Sequence, residues 1–405
     1  MAHLLGITST TKTFRVAIVG VGLVGAELVK QLQALQPSPF RIVSLSSSKS
    51  LLYHPDGLSP SEDWKTELAS SGRRPDLHFL LRELAALVKP GQEAVLVDNT
   101  SANEVAALYP SFLRLGVHVV TPNKKAFSAG LELYEQILGA SLESGARFLN
   151  EATVGAGLPV ISTLKDLVAT GDKVRSLSVS VFLSPADSGG WEGWLSVCAD
   201  ADAERGAQVT KIEGVFSGTM SYIFNEFSTG KEGGPNFSSV VSVAREKGYT
   251  EPHPADDLNG ADVARKLTIL SRLIPSLRSA LPDGYQFVST KSLIPPALEG
   301  IESGDEFIRR LPEFDAQFDQ LRADAIKEGK VLRYAGVVDV QNGVIKADLE
   351  KYPATHPFAT ALGGSDNIIM FHTERYGARP LVVQGAGAGA AVTAMGVMSD
   401  LLKLV

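Results

Sequence analysis

Lys266 follows Asp262 by four residues in the segment Asp262-Val-Ala-Arg-Lys266, a spacing that stacks the two side chains on one face of a helix. Two readings stand side by side. An exposed ion pair at this spacing adds a few tenths of a kcal/mol to a helix. A lysine held beside a carboxylate in a cleft is instead a proton donor to a reacting oxygen. Just upstream, Tyr249-Thr-Glu251-Pro-His-Pro-Ala-Asp256-Asp257 supplies further carboxylates of the kind that hold a cationic amino group. Three more polar sites, Asn99-Thr100-Ser101, Pro122-Asn123-Lys124-Lys125 and Asn150-Glu151, each follow a predicted strand. In open α/β sheets ligands lie at that end of the strands, although a lysine pair is also commonly plain solvated charge.

Gly20-Val-Gly22-Leu23-Val24-Gly25 directly follows one such strand and opens a helix. In that setting Gly20 permits the tight turn, Gly22 lets backbone approach a pyrophosphate, and Gly25 lets the helix pack closely. The phosphates would meet free N–H groups at the helix N-terminus. NAD-selective sites carry an acidic residue about 20 positions further on. Here that place holds Ser46, Ser47, Ser48 and Lys49, so no carboxylate repels a 2′-phosphate and Lys49 attracts one; the plain alternative is a solvated polar loop. A second glycine-rich stretch, Gln384-Gly385-Ala-Gly387-Ala-Gly389, runs into the last helix and reads as close packing or as backbone returning to the cofactor. The seven histidines show no metal-ligand spacing, and no Gly-x-Ser-x-Gly elbow or Walker sequence is present.

The elements that must carry these residues alternate over the first 160 positions. Arg15–Val19, Phe40–Leu45, Ala94–Asp98, Val117–Val120 and Arg147–Leu149 read as strands with helical patterns between them, such as Ala26–Leu35. That alternation predicts βαβ units and a parallel sheet. Beyond it, Arg333–Val340 and Asn367–Phe371 read as strands and Val263–Leu273 and Val392–Val405 as helices, an α+β pattern. The expected fold class is therefore α/β, with a Rossmann-type parallel-sheet domain and a second α+β domain. The expected domains are residues 1–158, completed by 384–405 returning at the C-terminus, and 159–383 between them.

Composition narrows the function classes. With 38 Lys+Arg against 45 Asp+Glu the net charge is -7, which argues against a broad nucleic-acid or anionic-membrane surface. No apolar run reaches the length of a membrane span. The N-terminus has neither a secretory pattern nor an Arg-rich presequence, so cytoplasm is the expected location. The single cysteine, Cys198, excludes an internal disulfide and a cysteine-based zinc site.

Taken together, VAIVGVGLVG, LVDNTSAN, VTPNKKAFS, NEATVGAGLPVI, KIEGVFSGTMSYIFNEFSTG, KGYTEPHPADDLNGADVARKLTIL and VVQGAGAGAAVTAMGV resemble homoserine dehydrogenase, most closely its short monofunctional fungal type. The resemblance implies NAD(P)H-dependent, reversible reduction of L-aspartate 4-semialdehyde to L-homoserine, on the route to threonine and methionine. It implies that Lys266 is the proton donor and that Lys124 contacts substrate and nicotinamide. It places Glu251, Asp257 and Asp262 around the substrate amino group and the catalytic lysine. Thr100 and Ser101 would line the nicotinamide, and Gly389 would meet the cofactor from the C-terminal segment. Glu151, Val154, Ala156 and Leu158 match a monovalent-cation site, typically sodium, built largely from backbone carbonyls. A homodimer is implied, the 159–383 domain serving catalysis and dimerisation.

The chain departs from that pattern at about 174–208, a stretch with no recognisable counterpart that holds Cys198 and two of the three tryptophans. A surface insertion or an in-frame translated intron would account for it. Two alternatives compete with the dehydrogenase reading. Aspartate-semialdehyde dehydrogenase needs a cysteine nucleophile, and the only cysteine lies in the unmatched stretch. A non-catalytic NADP-sensing protein on the same scaffold would have no use for both Lys266 and Asp262.

Overall fold

β1 (Thr13–Val19) is buried without interruption from Val16 to Val19, as a central strand covered on both faces must be. β2 (Phe40–Ser46) and β4 (Gln92–Asp98) flank it, both parallel to it. β5 (Val117–Val120) and β6 (Phe148–Leu149) continue the parallel sheet, while β3 (Leu51–Tyr53) closes the other edge antiparallel to β2. The order is β3-β2-β1-β4-β5-β6. The chain thus builds outward on one side of β1 and then on the other, and a crevice opens at the carboxyl ends of β1 and β4. Gly20 leaves the first of these strands and Asn99 the second, with the Asn99 N–H donating to the Val19 carbonyl at 2.8 Å. The computed structural model describes residues 12–59, 63–171 and 209–405. The 174–208 stretch, including Cys198, lies outside the described residues.

The second sheet is mixed and has the order β12-β11-β7-β9-β10-β8. Its strands are β7 (Val209–Val215), β8 (Ser289–Thr290), β9 (Lys330–Asp339), β10 (Val344–Pro353), β11 (Asp366–Thr373) and β12 (Leu381–Ala386). Helices Gly218–Phe227 and Ala261–Arg272 pack on one face. Gly336 in β9 is required there, because a Cβ would fall 2.8 Å from Leu267 on the second helix and from Phe216. The architecture is a Rossmann-type domain joined to an α+β domain.

The C-terminal helix, Ala390–Leu402, returns to the first sheet. Its Ala394, Val397 and Leu401 share one apolar core with Val16, Ile18, Leu28 and Val29. Residues 384–386 pair with β11 in the second sheet, so the return begins with the Gly387–Gly389 turn, three residues after the 384 boundary expected from sequence. β3 and β8, at three and two residues, are too short to show a period-2 pattern.

Candidate active site

Gly260 has φ +75° and precedes helix Ala261–Arg272; a Cβ on it would fall 2.0 Å from the Tyr334 hydroxyl, so only glycine fits. Asn259 Oδ1, just before that glycine, accepts from the Ala261 N–H, a donor the helix itself leaves unpaired. Asp262 lies in the first turn, where the helix dipole favours an anion. Lys266 lies one turn later with its side chain only 8% exposed, and its ammonium meets Asp262 Oδ2 at 2.7 Å. It also donates to the Phe216 main-chain carbonyl at 2.7 Å. The pair is therefore no solvated ornament of a helix: its lysine is buried and its half-buried carboxylate lines a cleft.

The other Asp262 oxygen meets Lys124 at 3.3 Å. Lys124 comes from the first domain, on the loop after β5. Buried Asp98 fixes that loop by accepting from the Asn123 amide at 3.0 Å, and it also accepts from Tyr109 and from the N–H and hydroxyl of Thr100. One carboxylate at the end of β4 thus aligns the Thr100–Ser101 and Asn123–Lys124 loops. Burial alone would raise the Asp262 carboxyl, but Lys124 and Lys266 on its two oxygens hold it well below the carboxylate range. Burial lowers the Lys266 ammonium from its ordinary value, and Asp262 offsets only part of that. A lysine so placed releases its proton more readily than one in water.

Lys124, Glu251, Asp257, Asp262, Lys266 and Gly389 line one cavity of about 930 Å³. Asn99, Thr100 and Ser101 line an adjoining cavity of about 510 Å³ that shares Lys124, Glu251 and Asp262. Asp257 accepts from the Thr219 hydroxyl and the Glu251 N–H, both at 2.8 Å, and burial raises its carboxyl to about 6 despite those bonds. Gly20, Gly22, Leu23, Val24, Gly25 and Lys49 line neither cavity. Gly20 (φ +88°) adjoins the second one instead, since a Cβ there would fall 2.7 Å from Thr100 Cγ2. Space around Gly22 is open, with no atom within 4 Å of a Cβ position, whereas at Gly25 the Gly20 carbonyl oxygen stands 2.2 Å away. Leu23 is 82% exposed at the helix start, and Lys49 is exposed in the β2–β3 turn.

Glu151, Val154 and Ala156 are buried and Leu158 is half-buried, and Ala156 lines the larger cavity. The Glu151 carboxylate is engaged by the Ile161 and Ser162 N–H groups and by Lys403. Among the described residues no group of three or more His, Cys, Asp or Glu side chains is placed to hold a metal ion. The Phe216 carbonyl, Thr219 and Asn259 are the site groups that residue spacing had not singled out; a main-chain acceptor leaves no mark in a sequence.

A dinucleotide-type crevice with a buried lysine–carboxylate pair at its mouth defines a nicotinamide-dependent dehydrogenase. The family model for homoserine dehydrogenase matches residues 198–402, and that for the homoserine dehydrogenase NAD-binding domain matches residues 20–151. Homoserine dehydrogenase of Schizosaccharomyces pombe is 43% identical over 98% of this chain and 97% of its own. A Candida auris crystal structure described as a protein of unknown function superposes with a TM-score of 0.81 at 39% identity, over 97% of this chain and 98% of that one. A hyperthermophilic archaeal homoserine dehydrogenase in complex with NADPH shares the fold, with a TM-score of 0.63 at 17% identity over 96% of both chains. The chain belongs to the homoserine dehydrogenase family. Its reaction is the reversible NAD(P)-dependent interconversion of L-aspartate 4-semialdehyde and L-homoserine, a step of amino-acid biosynthesis.

Proposed function

We propose that Lys266 donates the proton to the aldehyde oxygen during reduction and recovers it during oxidation. The observation that carries this is its buried ammonium, held by Asp262 and facing the cavity shared with Lys124. Lys124 contacts both the substrate and the nicotinamide, and Asp262 holds the two ammonium groups, one on each of its oxygens. Glu251 and Asp257 receive the substrate ammonium. Gly20, Gly22, Leu23, Val24 and Gly25 hold the pyrophosphate, Thr100 and Ser101 the nicotinamide end, and Gly389 closes over the cofactor. The nicotinamide, when bound, supplies or accepts the hydride.

The Asp257 role has a pH signature. Only the ionised carboxylate attracts an ammonium, so affinity is lost as pH falls through about 6, where this group titrates. KM for homoserine is expected to rise below that pH while kcat moves less, and Asp257→Asn should flatten the dependence. An unchanged KM profile in the variant would remove Asp257 from substrate binding.

Lys49 and the neighbouring serines select for a 2′-phosphate. NADP(H) should be used at least as well as NAD(H). The measurement is kcat/KM for both cofactors at equal pH and salt; a strong NAD preference would refute the reading of Lys49.

The loop bearing Glu151, Val154, Ala156 and Leu158 is read as a monovalent-cation site, typically for sodium, built largely from main-chain carbonyls. Ala156 (φ +54°) is the non-glycine residue in the left-handed region among those described, and it follows Gly155 at +77°. Such strain persists where the surroundings require it, and carbonyls turned toward a cation are one such requirement. We assign residues 1–158 with the C-terminal return to cofactor binding and 159–383 to catalysis and dimerisation. A homodimer is the assembly proposed, with its interface on the 159–383 domain. No helix among the described residues is long and apolar enough to cross a membrane, and the enzyme is assigned to the cytoplasm.

The 174–208 stretch is assigned no catalytic part. On its two sides, Arg375 donates to the Thr170 carbonyl at 2.6 Å and Val209 pairs with Thr373, so one strand end holds both flanks. Excising 174–208, which joins Lys173 to Val209, should leave activity equal or improved. A deletion protein that folds but has lost activity would show a role for the stretch.

A further inference from the structure

Two N–H groups of Lys266 are committed, one to Asp262 Oδ2 and one to the Phe216 carbonyl, each at 2.7 Å. The third is left for the cavity that Lys266 lines. The Phe216 carbonyl is itself gripped from the other side. Asn367, fully buried at the start of β11, donates its amide N–H to that oxygen at 2.9 Å. The Asn367 amide in turn fills the space above Gly387, where a Cβ would stand 2.0 Å from Asn367 Cγ. Gly387 belongs to the turn that lines the cleft beside Gly389.

We propose that Asn367 is a positioning residue for catalysis, which clamps the Phe216 carbonyl and thereby aims the reactive N–H of Lys266 at the substrate oxygen. The inference rests on the proton-donor reading of Lys266. A two-point anchor serves both directions of the reaction. As the ammonium passes its third proton to the developing alkoxide, the neutral amine keeps two N–H groups for Asp262 and Phe216, and its lone pair faces the new hydroxyl. In the oxidative direction that lone pair accepts the hydroxyl proton from the same position. An amine held by one anchor would rotate, and the lone pair would lose its direction. Gly387 stays small because the amide that performs the clamping needs its space.

The charged groups that face Lys266 are Asp262 from its own helix, Lys124 from the β5 loop, and Asp257 from the acidic segment; Lys247, Tyr249, Glu251, Asp256 and Arg265 are the other titratable groups lining the same cavity. None is altered by a change at Asn367, so a pH effect of that change reports on the carbonyl clamp. A loosened carbonyl stabilises the ammonium less and lowers its pKa.

The test compares Asn367→Leu, Gly387→Ala and Lys266→Met in the full chain. The readouts are kcat against pH in both directions, NADP(H) dissociation constants from fluorescence, and circular dichroism to confirm folding. Asn367→Leu is expected to lose about tenfold in kcat, with cofactor affinity retained. Its profiles in both directions should move to lower pH by up to about one unit, the scale of one hydrogen bond to a charged group. Gly387→Ala, which displaces the amide without removing it, should move the profiles the same way and keeps the test open if Asn367→Leu fails to fold. An unmoved profile in a folded variant, with Lys266→Met inactive, would overturn the role of Asn367 and leave that of Lys266 intact. Near-normal turnover by Lys266→Met would instead overturn the proton-donor reading itself.

Discussion

Lys266→Ala is expected to lower kcat by about 10²–10⁴-fold, the usual contribution of a positioned general acid or base. NADP(H) binding should be nearly unchanged, because the Gly20–Gly25 turn and the Thr100–Ser101 loop are built by β1 and β4 and not by helix Ala261–Arg272. The loss should appear in both directions, since the proposed role makes this one lysine the acid in reduction and the base in oxidation. Lys266→Arg separates charge from proton transfer. A guanidinium keeps the positive charge opposite Asp262 but does not deprotonate in a protein, so it should recover little of the lost rate. Steady-state rates with homoserine and NADP+ and with the semialdehyde and NADPH provide the check. Near-normal turnover in the alanine variant would pass the role to Lys124, which shares Asp262 with it at 3.3 Å.

Gly25→Ala should damage the cofactor site by a route unrelated to chemistry. A Cβ at this position meets the Gly20 carbonyl oxygen at 2.2 Å and the Asn99 amide nitrogen at 3.4 Å, and neither the turn nor helix Leu23–Ala34 can absorb the overlap without moving. Overpacking of this kind costs about 1–3 kcal/mol of stability. The displaced helix N-terminus should also weaken NADP(H) binding by about tenfold or more, in keeping with about 1.4 kcal/mol per factor of ten. Gly22→Ala is the matched comparison. With nothing within 4 Å of its Cβ position, it should melt like the unaltered protein and lose only what the methyl group takes from the ligand. Thermal melts with and without NADP(H), together with fluorescence titration, distinguish the two. If Gly25→Ala bound cofactor normally, the pyrophosphate could not rest on this turn.

Several features of the site were visible in residue order because they are local. Gly20-x-Gly22-x-x-Gly25 directly after an apolar strand carries its own geometry: the positive φ at Gly20 and the close approach at Gly25 are demands that a handful of neighbouring residues create. The strands of the first sheet were equally legible, because burial on both faces leaves continuous apolar runs such as Val16–Val19. The edge strand β3 was not, since three residues cannot display alternation. Nor was the membership of 384–386 in the second sheet, where the glycines mask a strand whose pairing with β11 is what orders it.

The amino-acid sequence by itself determined that Asp262 and Lys266 share a helix face, that a glycine turn of the dinucleotide-binding pattern joins the first strand to the first helix, and that carboxylates crowd the segment before the helix that bears Lys266. It left the ion pair between two meanings, since spacing along a helix says nothing about what covers it. Only the tertiary structure decided between them. It brought Lys124 from the β5 loop onto the free oxygen of Asp262, buried Lys266, and put the Phe216 carbonyl and Asn367 behind the ammonium. Those groups lie far apart along the chain, and their meeting follows from two sheets packing across a crevice. A buried charge needs such partners from several elements at once, and no local pattern of residues can record them.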